Sequence, residues 1–409
     1  MSHPPEMAAQ DHPTGVTAAA GFRAAGVTAG LKTSGAPDLA LVVNDGPEHV
    51  AAAVLTTNRI QAAPVLWTRQ AVADGQARAV VLNSGGANAC TGAPGFQNTH
   101  TTAERTATLL TAAGEEIGPI DVLVCSTGLI GEQLDMAALL PGLDQAVAAL
   151  DPGAGHDAAV AIMTTDTVAK QAAVTRTAGG SAWTVGGMAK GAGMLAPAMA
   201  TMLSVITTDA VLTPDVAREA LQAATSRTFD RIDSDGCMST NDTVILLASG
   251  ASGIAPGAEE FTAALTEVCS SLSQQLLTDA EGASHDIAVE VRGASSETAA
   301  LAVARAITRS NLVKTAIFGN DPNWGRILAS AGTVPAEIAP YEPHEVDVSV
   351  NGVLVCRAGG VGEDRSLVDL AAAREVSIQV DLHAGDATAT VWTNDLTHDY
   401  VHENSAYST

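Results

Sequence analysis

Aromatic residues supply only 3% of the 409-residue chain, although hydrophobic residues reach 46%. An interior so poor in rings has to be assembled from Ala, Val, Leu and Ile, with 38 glycines allowing close approach of backbones. Basic residues are scarce too: 20 Lys+Arg stand against 45 Asp+Glu, a net charge of -25. That field repels phosphate backbones and anionic lipid, which removes nucleic acid and membrane surfaces as default partners. Cysteine occurs five times (Cys90, Cys125, Cys237, Cys269, Cys356), widely spaced and without a Cys-x-x-Cys pair. A disulfide scaffold and a zinc module are both excluded, and buried reduced thiols in a cytoplasmic protein are expected. The opening MSHPPEMAAQDHPTG carries Glu6 and Asp11 and no basic n-region, so it reads as a flexible lead-in over 1–14 and not as a signal peptide. Residues 191–208 run eighteen positions without a charge and imitate a membrane span, but two glycines, a proline, three threonines and a serine make the run too broken for one. No repeat of 20 to 50 residues is visible.

What is present alternates between β-branched runs and Ala-rich stretches of helical period. The patterns predict strands at 79–82, 120–124, 160–163, 202–206 and 244–247. Helices are predicted over about 98–113, 134–150 with a break near Pro141-Gly142, 214–225 and 258–278. Beyond Glu281 strands are predicted at 286–292, 345–350, 353–356, 375–382 and 387–393, with Asn351-Gly352 as a hairpin signal and helices near 297–309 and 366–373. The expected fold class is α/β, layered, with a smaller C-terminal α/β domain over 286–409.

Several motifs compete for the chemistry. His398 and His402 stand four apart, a spacing that suits two metal ligands on one helix face, but no third ligand accompanies them, so no metal is expected. Asp230, Asp233, Asp235 and Asp242 miss the calcium-loop spacing and read as a solvated turn beside Arg231. Gly191-Ala-Gly193-Met-Leu-Ala196 fits a dinucleotide fingerprint with Asp209 beyond it, yet Pro197 interrupts the helix that such a site needs, so no nucleotide cofactor is expected. Thr201 follows this uncharged approach at the start of a strand. A threonine becomes a good nucleophile when it is the first residue of a chain, because its own α-amine, with a pKa of about 7.7–8.0, takes the proton. The plainer reading of Thr201 is a β-branched strand residue.

The segment from Lys190 to Leu203 resembles the self-cleavage segment of the ornithine acetyltransferase family, the bifunctional glutamate N-acetyltransferases of arginine biosynthesis. Further similarity runs through Asn83-Ser-Gly-Gly-Ala-Asn-Ala-Cys-Thr-Gly92, Ser126-Thr-Gly-Leu-Ile-Gly131, Met163-Thr-Thr-Asp-Thr167, Ser239-Thr-Asn-Asp-Thr243, Lys314-Thr-Ala, Asp321-Pro-Asn-Trp-Gly-Arg326 and Glu403-Asn-Ser-Ala-Tyr-Ser-Thr409. Gly86, Ala198 and Ser284-His285 depart from the common pattern.

The resemblance implies an N-terminal-nucleophile-like catalytic unit over 15–285, cut between Ala200 and Thr201 into an α chain (1–200) and a β chain (201–409). It implies Thr201 as nucleophile, Thr127 and Gly128 as oxyanion donors, and substrate contacts at Thr164, Lys190, Thr201, Glu281, Asn404 and Thr409, the tail returning to the site. The implied reaction moves acetyl from N-acetylornithine to glutamate in ping-pong fashion, in the cytoplasm, in an α2β2 assembly and without a cofactor. Whether acetyl-CoA also donates stays open. An N-terminal-nucleophile aminopeptidase or amidase is the alternative.

Overall fold

The computed structural model describes residues 15–178, 180–193 and 202–406. Three sheets organise them. The first has four strands in the order Phe22–Val27, Leu39–Asn44, Ala79–Asn83, Val122–Ser126, with its last two strands parallel. The second has five, ordered Val50–Leu55, Thr243–Ala248, Leu203–Thr208, Ser181–Lys190, Lys170–Ala178. Its two faces serve different cores. Leu203, Val205, Ile245 and Leu247 join the core of the first sheet, while Ile206, Val244, Leu246 and Ala248 pack with the helices Pro214–Arg227 and Ala258–Thr278. Helices Ala63–Ala71, Gly92–Ala112 and Met136–Ala148 complete the first core, which gives a layered α/β architecture.

Every residue of Leu203–Thr208 is buried, and strands flank it on both sides. A strand covered on both faces has no solvated position at which a charge could sit. That accounts for the part of the uncharged run that lies inside the sheet.

A third core belongs to the six-stranded sheet ordered Gly360–Val361, Val353–Arg357, Asp347–Val350, Glu375–Asp381, Asp286–Ala294, Ala387–Asn394. Helices Glu297–Thr308, Asn311–Phe318 and Trp324–Ala331 pack on it. Positive φ at Asn351 and Gly352 (46° and 82°) forms the tight hairpin that this pair signals in sequence. The last described residues form the helix His398–Ala406.

Three local expectations fail. Residues 160–163 are not a strand: Gly155–Ala161 is a helix whose Ala158, Ala159 and Ala161 are buried. The helix backbone presses on the first strand so closely that a Cβ on Gly26 would sit 2.0 Å from the Asp157 carbonyl oxygen. Pro141 does not interrupt its helix. Asp135 caps the start, and Leu139, Leu143 and Ala146 bury one face, so packing outweighs the proline penalty. Only a short 3-10 turn, Arg365–Leu367, forms where a helix near 366–373 is predicted.

Candidate active site

Strand ends of the two stacked sheets converge on one cavity of about 70 Å3. Thr127 and Gly128 come from the loop after Val122–Ser126, and Lys190 ends Ser181–Lys190. Thr164, Glu281 and Asn404 complete the set of sequence-predicted residues in its wall. Ala200, Thr201 and Thr409 lie outside the described residues.

Gly128 has a φ of 127°, and a Cβ there would lie 2.8 Å from the Gly86 amide nitrogen, so no other residue fits without moving backbone. The Gly86 amide donates to the Thr127 carbonyl at 3.0 Å. One side chain ties the two loops together: Asn241 Nδ2 donates to the carbonyls of Ala87 and Ser126 at 2.6 and 2.7 Å. Asn83 adds a second tie: its Nδ2 donates to the Gly86 carbonyl at 3.0 Å and its Oδ1 accepts from Ser126 Oγ at 2.5 Å.

A buried ionic chain runs behind this wall. Asp279 Oδ2 lies 2.5 Å from Lys170 Nζ, which in turn lies 2.6 Å from Asp166 Oδ1, while Asp166 Oδ2 is 3.8 Å from Lys190 Nζ. Asp166 also accepts from the amides of Gly191 and Thr164, at 2.6 and 3.0 Å. Burial alone would raise its pKa, but Lys190 and Lys170 outweigh that and bring it to about 2. For Lys190 the balance goes the other way: complete burial lowers the amine pKa more than Asp166 raises it. Lys190 Nζ donates to Thr127 Oγ1 at 3.4 Å. An ammonium can only donate, so Thr127 accepts there and keeps its own O–H proton for something in the cavity.

Across the cavity, Glu281 meets the tail. Asn404 Nδ2 donates to Glu281 Oε2 at 3.0 Å, and the Glu281 amide donates to the Ala192 carbonyl at 3.0 Å. Gly193 packs under the carboxylate, where a Cβ would fall 2.8 Å from both of its oxygens. Residues 191–193 therefore serve as a close backbone support for Glu281, and the rest of the Gly191–Ala196 fingerprint lies outside the described residues.

Sequence reasoning assigned no role to Ser239, Thr240 and Asn241, which also line the cavity, nor to Asp166 and Lys170 behind it. Both groups lie in or beside quoted motifs, and an Asp four residues before a Lys in an otherwise uncharged stretch was an available signal. The expected solvated turn at 230–242 is corrected: Asp233 and Asp242 are buried, at 1% and 0% exposure. Asp242 Oδ1 accepts from the Met202 amide at 3.1 Å, and burial drives its pKa well up. Cys90 and Cys237 are exposed, contrary to the expectation of buried thiols, while the other three are buried. His398 packs edge-on against Phe318, and no cluster of three metal-binding side chains occurs among the described residues. No helix among them is long and apolar enough to cross a membrane.

A small cavity with a buried lysine in its wall and a carboxylate opposite, set where two stacked sheets end, has the form of an α/β enzyme's active site. The ArgJ family model matches residues 23–409, and the chain belongs to the ArgJ family. It is 61% identical over 394 residues to the arginine biosynthesis bifunctional protein ArgJ of Streptomyces coelicolor, covering 96% of this chain and 99% of that one. The ArgJ protein of Thermobifida fusca is also 61% identical, over 96% of this chain and all of that one. Among solved structures, ornithine acetyltransferase from Mycobacterium tuberculosis complexed with ornithine is 58% identical, with a TM-score of 0.43, over 45% of this chain and 95% of that one.

Proposed function

We propose that this enzyme moves acetyl from N-acetylornithine to glutamate through an acetyl ester on Thr201, after cutting itself between Ala200 and Thr201. The observation that carries the reading is that Thr127, Gly128, Thr164, Lys190, Glu281 and Asn404, drawn from five separate stretches of sequence, line one cavity.

In this reading the α-amine of Thr201 takes the hydroxyl proton, and Oγ1 attacks the acetyl carbonyl carbon. The carbonyl oxygen becomes an oxyanion, met by the free Thr127 hydroxyl proton and the Gly128 amide. A donor placed so is worth about 3 kcal/mol of barrier. Collapse breaks the C–N bond, the amine leaves with the proton, and acetyl stays on Thr201. The amine of glutamate then attacks the ester and restores the threonine. Glu281, steadied by Asn404, would pair with the ornithine side-chain ammonium, and Lys190 would face the α-carboxylate common to both substrates. The reaction is isoenergetic in kind, amide to ester to amide, and needs no cofactor. We place the enzyme in the cytoplasm as an α2β2 assembly of its two fragments.

Intact-mass measurement of the purified protein, with an acetyl-transfer assay, tests this. Two fragments meeting at 200/201, absent in Thr201→Ala together with transfer, are expected. Acetate release that glutamate fails to capture would favour an amidase, and a full-length chain with full transfer activity would overturn the reading.

A further inference from the structure

Among the described residues that wall the cavity, only Ala87, Gly128, Ile130 and Gly193 lack a polar or charged side chain. Two of these four are already committed. Gly128 offers its amide to the oxyanion in the proposed reaction, and Gly193 packs under the Glu281 carboxylate across the cavity. Ala87 and Ile130 are left as the apolar side chains of the described wall.

Both lie beside the oxyanion donors. The strands Ala79–Asn83 and Val122–Ser126 run parallel, and the loops that leave them stay side by side. Backbone hydrogen bonds run from the Gly86 amide to the Thr127 carbonyl at 3.0 Å, from the Ala87 amide to the Leu129 carbonyl at 2.9 Å, and from the Gly131 amide to the Ala89 carbonyl at 2.9 Å. Thr127, Gly128 and Ile130 thus stand on one rail of a short ladder and Ala87 on the other.

The two apolar side chains differ in freedom. Ala87 is 2% exposed, its amide and carbonyl are both hydrogen-bonded, and it packs with Ala62, Val65 and Ala89 in a small apolar cluster. Its single methyl is a fixed floor. Ile130 is 42% exposed, so its side chain can be shortened or enlarged without opening a core.

A carbonyl carbon whose oxygen meets Thr127 and Gly128 carries two substituents. One is the amino acid, whose charged groups go to Lys190 and Glu281 in the proposed reaction. The other is the alkyl end of the acyl group, one C–C bond of about 1.5 Å away. Set against hydroxyl and amide side chains, that alkyl group would strip them of water without replacing the lost hydrogen bonds. Against Ala87 and Ile130 no such loss arises.

We propose that Ala87 and Ile130 select the acyl group: Ala87 is the floor on which the methyl of acetyl rests, and Ile130 is the side wall that turns longer chains away. The inference rests on the transfer reading and keeps its chemistry. The amide C–N bond breaks, the amine leaves with the proton, and the acyl group stays on Thr201. An apolar pocket discriminates by about 10–200-fold per methylene.

The test uses the whole protein with N-formyl-, N-acetyl-, N-propionyl- and N-butyrylornithine, reading ornithine release with and without glutamate. Release follows whether the acyl group passes to glutamate or to water, so selectivity is measurable even if transfer fails. Wild type should prefer acetyl to propionyl at least tenfold in kcat/KM. Ile130→Ala should raise the propionyl-to-acetyl ratio at least tenfold and admit butyryl, while Ile130→Trp should lower the acetyl-to-formyl ratio at least tenfold. Each ratio is taken within one sample and does not depend on the fraction folded, so a partly unfolded variant still answers. Ratios within threefold of wild type in both variants, or a wild type that takes propionyl as readily as acetyl, would overturn the proposal and leave the transfer reading standing. Ornithine release that never yields N-acetylglutamate would overturn the transfer reading alone, and no release from any probe would overturn both.

Discussion

Replacing Asp166 with Asn separates the buried ionic chain from the rest of the site. The carboxylate is flanked by two lysines, at 2.6 and 3.8 Å, and all three side chains are at most 2% exposed. Removing the charge leaves two buried ammoniums to share what remains. Loss of one partner from such a pair costs about 3–5 kcal/mol, and the lower end applies because Asp279 keeps Lys170 at 2.5 Å. A loss of about 3 kcal/mol is expected, read as a lowered denaturation midpoint at pH 7. The pH dependence gives a second, sharper signature. In wild type the Asp166 pKa falls from 3.8 to about 2, a contribution of about 2 kcal/mol that is complete above pH 4 and lost as pH falls through 2. The variant lacks that acid limb. Without Asp166 the Lys190 amine falls further below its unfolded value, so the unfolded state binds more protons and the variant's stability rises with pH. Its deficit must therefore shrink on the alkaline side. A loss under about 1 kcal/mol at pH 7, or a deficit that grows with pH on the alkaline side, would refute the assignment of Asp166 as the counter-charge of both lysines.

Gly128→Ala places a Cβ against the Gly86 backbone, so kcat should fall at least a hundredfold with fold retained; circular dichroism and transfer rates check it, and activity within threefold would show that the loop yields. Asn404→Ala removes the hydrogen bond that holds Glu281 and should raise KM for the ornithine-bearing substrate about tenfold, the worth of about 1.4 kcal/mol, with kcat within threefold. Lys314, at about 8 against an ordinary 10.5, binds its proton less well folded than unfolded, so stability should rise by about 3 kcal/mol between pH 8 and 10.5, and Lys314→Met should flatten that rise in a denaturation series.

Strands and helices with strong period were legible in the residues, Ala258–Thr278 to its ends. The signal was weakest where packing decides: residues 160–163 read locally as a strand although 160 and 161 close the helix Gly155–Ala161, and Phe22–Val27 and Val50–Leu55 carry too few large apolar residues to stand out. Motif similarity brought the wall of the cavity into view, including Asn404 on the tail. It could not show that Asp166, Lys170 and Asp279 form one ionic chain, because their sequence separations of 4 and 109 residues close only through the packing of the 258–278 helix on the second sheet. Nor does one-dimensional pattern distinguish a solvated carboxylate from Asp233 or Asp242, which are enclosed by segments far away in the chain.

The strand order of the second sheet bears on what would follow if the chain were opened between 200 and 201 as proposed. Leu203–Thr208 and Thr243–Ala248 would belong to one fragment, and they sit as a pair between Val50–Leu55 and Ser181–Lys190 of the other. The two pieces are interleaved, like fingers of clasped hands, and parting them would require unzipping two ladders at once and baring four strand edges to water. A cut there frees a terminus without freeing a fragment, and either half made alone would enter solution with raw edges and a strong tendency to aggregate.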